Sequence, residues 1–279
     1  MKTRIISAAV AIALLIAVLC VHNTVIFNIA FALIGSLMVY ELFGAYNEKK
    51  RAGFLAVSII ITSALAIMPR FLDYKSNFGI YILCVLAYIC VSISILLKEH
   101  KTLEIGRFAT ICCYTVLIAG MVVSISMIES ADPAMGLENL VVTFCGAWLA
   151  DTGAYFVGTF FGKHKLCPEI SPKKTVEGLV GGIVSNALFM MLVGYILSVL
   201  GKGLVVNYVL LAVLGVINAV LGTIGDLTAS LMKRQCGIKD FGKIMPGHGG
   251  ALDRFDSVVF VAPFMAAVLS VVNIFATLF

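Results

Sequence analysis

Asp226 to Asp256 concentrates the residue types that can do chemistry. These 31 residues hold four aspartates (Asp226, Asp240, Asp253, Asp256), five Lys/Arg (Lys233, Arg234, Lys239, Lys243, Arg254) and the turn Pro246-Gly247-His248-Gly249-Gly250. Two or three carboxylates converging on one point bind a hard divalent cation, and magnesium is the usual one where phosphates share its coordination shell. Carboxylates alone would point to ion transport, and cations alone to lipid contact. The mixture points to metal-assisted phosphate chemistry, in which positioning and charge neutralisation are most of the catalysis. His248 is a candidate ligand, acid–base group or capping side chain. Its flanking glycines allow a substrate close to the backbone.

Three further features bear on how such a cluster is positioned. If the run from Leu204 to Arg234 is helical, Asp226, Ser230 and Lys233 fall at i, i+4 and i+7 and share one face. Asp253 and Asp256, three apart, share a face if the last span begins there. Ser171-Pro172-Lys173-Lys174-Thr175 can sit immediately before a helix start, where unpaired N–H groups and flanking lysines form a phosphate cradle. A basic loop attracted to anionic headgroups is an equally good reading of that segment. Asp151 lies inside the apolar run Phe144–Tyr155, where a carboxylate must face a polar cavity, a cation or a proton pathway unless it lies at the interface.

The elements around these residues are those of a membrane protein. Of 279 residues, 61% are hydrophobic and 13% charged, and the mean hydropathy is +1.07. The expected fold is an all-α, polytopic integral membrane protein with spans near 5–21, 24–45, 53–69, 77–97, 107–128, 137–162, 178–200, 204–232 and 254–278. With the N-terminus in the cytoplasm, seventeen Lys/Arg fall on the cytoplasmic side; only Arg70, Lys75 and Lys202 fall on the other. Met1-Lys2-Thr3-Arg4 and the apolar run after it resemble a signal peptide, but Cys20-Val21-His22 offers no small-x-small cleavage site, so an uncleaved first helix is expected. Six of the eight cysteines lie in apolar spans and no Cys-x-x-Cys pair occurs, which favours small buried hydrophobes over zinc or disulfides. The chain reads as one membrane domain, with residues 1–130 free of motifs and 131–279 as the catalytic region. Asn47–Arg51 and Lys98–Lys101 read as topology anchors.

Ser230-x-x-Lys233-Arg234, Lys239-Asp240, His248-Gly249-Gly250 and Asp253-Arg254-x-Asp256 follow one another with the spacing of the phosphatidate cytidylyltransferase, or CDP-diacylglycerol synthase, signature. Ile170–Gly178 and Asp151–Tyr155 are also similar to that family. Met245 and Ala251 depart from its pattern but are apolar and leave the charged set intact. The resemblance implies the reaction CTP + phosphatidate → CDP-diacylglycerol + pyrophosphate, with magnesium, in a dimeric enzyme of the cell membrane whose site opens to the cytoplasm. It leaves open whether a monovalent cation joins magnesium. It implies Asp226, Asp253 and Asp256 as metal ligands, and Lys233, Arg234, Lys239 and Lys243 as phosphate holders. Ser230 and His248 would orient substrate, with Asp240 and Arg254 in the same catalytic set. Ser171, Lys173, Lys174 and Thr175 would contact the triphosphate, Gly249 and Gly250 would border bound substrate, and Asp151 would face the same cavity. Nucleic acid is not an expected partner.

Competing readings are other CTP-using lipid enzymes, such as a polyprenol kinase or an archaeal-type CDP-lipid synthase, which share the chemistry but differ in acceptor. A CDP-alcohol phosphotransferase is disfavoured because no Asp-Gly-x-x-Ala-Arg run occurs. A transporter using Asp151 and Asp226 would have no use for the Lys- and Gly-rich loop, and no clear internal repeat is visible.

Overall fold

The computed structural model describes residues 2–71, 74–132, 134–201 and 204–277. Lys202, counted in the charge asymmetry, lies outside the described residues, as do the side chains of Lys2, Arg4 and Lys75. The protein is an all-α polytopic membrane protein. Among the described residues, seven helices are long and apolar enough to cross a membrane. They are α2 (Val25–Ala45), α3 (Ala52–Ile67, prolonged by a 3-10 turn to Arg70), α4 (Tyr74–Lys98), α5 (Ile105–Ala131), α6 (Gly136–Phe161), α7 (Val176–Leu200) and α8 (Tyr208–Gln235). The other helices are α1 (Lys2–Cys20), α9 (Leu252–Phe255) and α10 (Val258–Leu269).

Two of the expected spans differ. The eighth begins as strand β3 (Leu204–Val206), and the helix starts only at Tyr208. Asn207 sets that boundary, because its Oδ1 accepts the Leu210 amide at 3.0 Å as an N-cap residue does. The ninth is not one helix over 254–278. It breaks at Asp256–Ser257, resumes as the 12-residue α10 with Pro263 inside it, and ends in strand β4 (Phe275–Thr277). Twelve residues rise about 18 Å, short of a ~30 Å hydrocarbon core. The remaining segment pairs antiparallel with β3, Val205 opposite Ala276, which satisfies its backbone without a helix.

The chain forms two compact units. One comprises Met1–Ala131 and Cys236–Phe255. Helices α2, α3 and α5 pack together there around Phe27, Phe31, Phe43, Phe54, Ile111 and Ile118, all 0–1% exposed. Aromatic edges lock the core: the Phe43 and Phe54 rings are 4.8 Å apart, and Phe255 of α9 meets Phe31 edge-on at 6.5 Å.

The other unit comprises Asp132–Gln235 and Asp256–Phe279. Here α6, α7, α8 and α10 pack closely. In the middle of α7, Asn186 is fully buried and donates to the Gly146 carbonyl of α6 at 3.0 Å and the Gly215 carbonyl of α8 at 2.8 Å. One amide thus joins three helices, the interhelical polar contact that lipid-embedded bundles use. Strands β1 (Lys165–Cys167) and β2 (Ser171–Thr175) form a hairpin between α6 and α7. Thr175 then caps α7, its hydroxyl accepting the Gly178 amide at 3.1 Å. Glu177 accepts the Lys163 amide at 3.0 Å and meets the His164 ring at 2.6 Å, which fastens the first turn of α7 to the end of α6.

Candidate active site

Helix α8 is continuous across the expected charged face, so Asp226, Ser230 and Lys233 do lie on one side of it. Ser230 and Lys233 are buried there. The hairpin delivers a cation to this face. Lys174 Nζ lies 2.6 Å from Asp226 Oδ2 and 3.8 Å from Asp151 Oδ1, so one ammonium stands between a carboxylate of α8 and one of α6. The position of Ser171–Thr175 immediately before α7 is as expected; its form is an extended strand, which alternates Lys173 and Lys174 to opposite sides. Arg234 ties the end of α8 to the hairpin turn by donating to the Ile170 carbonyl at 3.3 Å.

Asp256 comes to the same face from the chain that enters α10. It follows the last residue of α9 and lies in a turn, so the shared helix face considered for Asp253 and Asp256 is not formed. Gly225 permits its approach: a Cβ there would press on the Asp256 carbonyl. Ser257 fixes it, donating its hydroxyl to the Gly222 carbonyl at 3.2 Å. Asp256 is 8% exposed, and its carboxylate accepts the Ser257 amide at 2.8 Å. Burial pushes its pKa up, to about 7, and the negative charges of Asp226 and Asp151 push the same way against Lys233. A cavity of about 390 Å³ adjoins this cluster, lined by Asp151, Tyr155, Lys165, Lys173, Lys174 and Thr175 among others. Three lysines line it together with small and apolar residues of α6 and α7, which suits a phosphate attached to a greasy body.

The remaining candidates lie on the Cys236–Phe255 segment of the other unit. Lys239, Asp240, Lys243 and Arg254 are exposed. The Pro246–Gly250 turn needs its glycines, since Gly247 and Gly249 have φ of 79° and 86°. His248 Nδ1 is 2.8 Å from the Ser7 hydroxyl of α1, which also donates to the Pro246 carbonyl at 3.0 Å. Gly249 and Gly250 are buried. Asp253 is 6% exposed, and its Oδ2 accepts the amides of Phe241 at 2.8 Å and Gly250 at 2.9 Å.

Among the described residues, no three His, Cys, Asp or Glu side chains converge tightly enough to hold an ion on their own. The donor set still fits magnesium. That ion is usually held by one or two carboxylates, with substrate phosphates and water completing the shell, and Asp226 beside Asp256 is such an arrangement of hard oxygens. Lys174 marks the place: a cation already sits against Asp226.

The sequence profile of the cytidylyltransferase family matches residues 2–272. The chain belongs to the cytidylyltransferase family. Membership makes it a nucleotidyltransferase. Among its relatives, the phosphatidate cytidylyltransferase of Staphylococcus haemolyticus (strain JCSC1435) is 31% identical over 270 residues, 96% of this chain and 99% of that one. That of Staphylococcus epidermidis (strain ATCC 12228 / FDA PCI 1200) is 33% identical over 270 residues, again 96% and 99%. That of Bacillus subtilis (strain 168) is 31% identical over 273 residues, 97% and 98%.

In this cytidylyltransferase several polar residues of the interior escaped the sequence reading, Asn186 and Glu41 among them. Asn186 is an amide amid an apolar run, and Glu41 an acid near the end of another. Glu41 is 3% exposed and meets the Ala251 and Leu252 amides at 3.1 and 2.9 Å. The signal was present, because an ionisable residue in an apolar span marks a partner or a site.

Proposed function

We propose that the protein is a phosphatidate cytidylyltransferase, joining the lipid phosphate to the α-phosphate of CTP and releasing pyrophosphate. The observation that carries this reading is the Lys174 ammonium between Asp226 and Asp151, lining a cavity with two more lysines and apolar residues. A nucleotide alone needs no apolar wall, and a lipid alone needs no carboxylates.

The reaction joins two anions. A phosphate monoester has a second pKa near ~6, so the attacking oxygen is already ionised at neutral pH and no general base is required. The barrier is mostly mutual repulsion, which fixed cations relieve. Lys173 and Lys174 hold the triphosphate, aided by Ser171 and Thr175, while Lys233 and Arg234 neutralise charge that develops on pyrophosphate. Lys239 and Lys243 serve phosphate binding from the Cys236–Phe255 segment, with Asp240 and Arg254 in the same catalytic set. Ser230 and His248 orient substrate, and Gly249 and Gly250 keep the backbone open to it. Magnesium, when bound, supplies Lewis-acid charge to the phosphate oxygens. Asp226 and Asp256 would hold it; Asp253 is the third ligand that the family resemblance implies. Whether a monovalent cation sits beside it is a question for the same assay.

The same reading has the enzyme in the cell membrane as a homodimer, its N-terminus and site on the cytoplasmic side. The lysine and arginine asymmetry supports the orientation, and the cytoplasm is where CTP is found.

Purified protein with phosphatidate, magnesium and labelled CTP tests the proposal. Label should enter a CDP-lipid with one pyrophosphate released per product, and chelation should abolish both. Phosphorylated lipid with free CDP would instead mean a CTP-dependent lipid kinase. No nucleotide turnover with phosphatidate and CTP would refute the proposal.

A further inference from the structure

Glu41 lies on α2, in an otherwise apolar helix, and both of its carboxylate oxygens are engaged. Oε1 accepts the amide of Ala251 at 3.1 Å and Oε2 that of Leu252 at 2.9 Å. These donors belong to the entry of α9, some 210 residues further along the chain. The same carboxylate touches the other end of the loop. A Cβ added at Gly242 or at Gly250 would lie inside its van der Waals envelope. Asp253 grips the loop as well, through the Phe241 and Gly250 amides. Two carboxylates, from α2 and α9, therefore hold Phe241–Leu252 through four backbone N–H groups. Charged acceptors make the stronger hydrogen bonds of this kind. Within that loop lie Lys243, His248, Gly249 and Gly250, and Asp253 follows directly.

We infer that Glu41 is a positioning residue for cytidylyl transfer: it sets the Gly-rich loop and the approach to Asp253 so that those groups meet their substrates in a reactive arrangement. The inference rests on the function proposed above. It explains why an acid stands in an N-terminal span that carries no motif. It also explains the residue type, because two adjacent amides need two acceptors. A glutamine in the same place would offer one acceptor and turn its NH₂ toward the other N–H. A partner that fixes a reacting group from behind acts on rate and metal affinity; loss of such outer partners typically weakens either by about 10–100-fold.

The test uses the full-length protein in lipid–detergent micelles, with Glu41→Gln, Gly242→Ala and, as a surface control, Glu104→Gln. Three quantities are read: kcat, the magnesium concentration for half-maximal rate, and trypsin cleavage after Lys243 relative to cleavage after Lys165 in the hairpin. Glu41→Gln should lower kcat about 10–100-fold and raise the magnesium half-saturation about tenfold. Cleavage after Lys243 should accelerate selectively. General destabilisation would lower the amount of active enzyme but leave the magnesium half-saturation in place. Wild-type magnesium dependence together with wild-type cleavage at Lys243 would overturn the inference. If Glu41→Gln does not fold, Gly242→Ala decides by the same readings, since its methyl displaces the carboxylate without removing it. A wild-type protein that makes no CDP-lipid would refute the functional reading instead, and the cleavage arm would still report whether Glu41 holds the loop.

Discussion

The two compact units use buried carboxylates in opposite ways. In the first, Glu41 and Asp253 accept four backbone amides between them, Glu41 through both oxygens and Asp253 through Oδ2 alone, and together they hold a loop still. In the second, Asp256 accepts one amide and otherwise faces the like charges of Asp226 and Asp151, relieved in part by Lys233 and Lys174. A carboxylate saturated by N–H donors is a scaffold. One left beside other carboxylates lowers its energy by taking up a cation. The surroundings match these uses: the first unit is filled by phenylalanines that pack as a rigid core, and the second by glycines and an asparagine that bring helix backbones close.

The largest effect should come from neutralising the crowded carboxylates. Asp256→Asn or Asp226→Asn should lower CDP-lipid formation on the order of 10²–10³-fold, comparable to removing a group that stabilises charge in a transition state. The thermal midpoint without magnesium should hold or rise, because repulsion is relieved. A midpoint that collapses would put these aspartates in the scaffold class and erase the contrast.

Lys174→Met comes next. Losing one charge-assisted contact corresponds to about 1.5–3 kcal/mol, or roughly 10–150-fold in kcat/KM. The loss should appear mainly in the KM for CTP, and steady-state kinetics at varied CTP would show it. An unchanged KM would mean that the ammonium serves only Asp226 and Asp151.

A pH series sharpens the comparison further. The folded chain holds the Asp256 proton more tightly than a free aspartate does, with a pKa of about 7 against 3.8. The group therefore favours folding at low pH, and that contribution is lost as pH rises through the interval between those values. Thermal midpoints of the magnesium-free protein should fall across it, and Asp256→Asn should flatten the slope. No such flattening would remove Asp256 as the source.

Asn186→Leu should have the smallest effect, since hydrogen bonds between membrane helices average about 0.6 kcal/mol and reach about 1.7. Denaturation in mixed micelles would measure a loss of one or two such bonds, with kcat nearly unchanged. A large fall in kcat would show that the α6–α7–α8 packing sets the site geometry directly.

Much of this was legible along the chain. Apolar runs gave the seven long helices to within a few residues, because burying a backbone in lipid forces its hydrogen bonds to close locally, and a local pattern is readable in a local sequence. The i, i+4, i+7 spacing put Asp226, Ser230 and Lys233 on one face for the same reason. The last span was misjudged where competing local signals met. Asp256, Ser257 and Pro263 interrupt an apolar run that composition alone counts as continuous, and Phe275–Thr277 finds a strand partner that lies some 70 residues earlier.

By itself, then, the sequence determined which residues are chemically able, which helices carry them and which family they belong to. Only the tertiary structure decided which charges meet. It set Lys174 against Asp226 across 52 positions, and Glu41 against Leu252 across 211. Those pairings come from packing distant segments together, and Coulomb and hydrogen-bond energies depend on separation in space, of which a one-dimensional order holds almost no record.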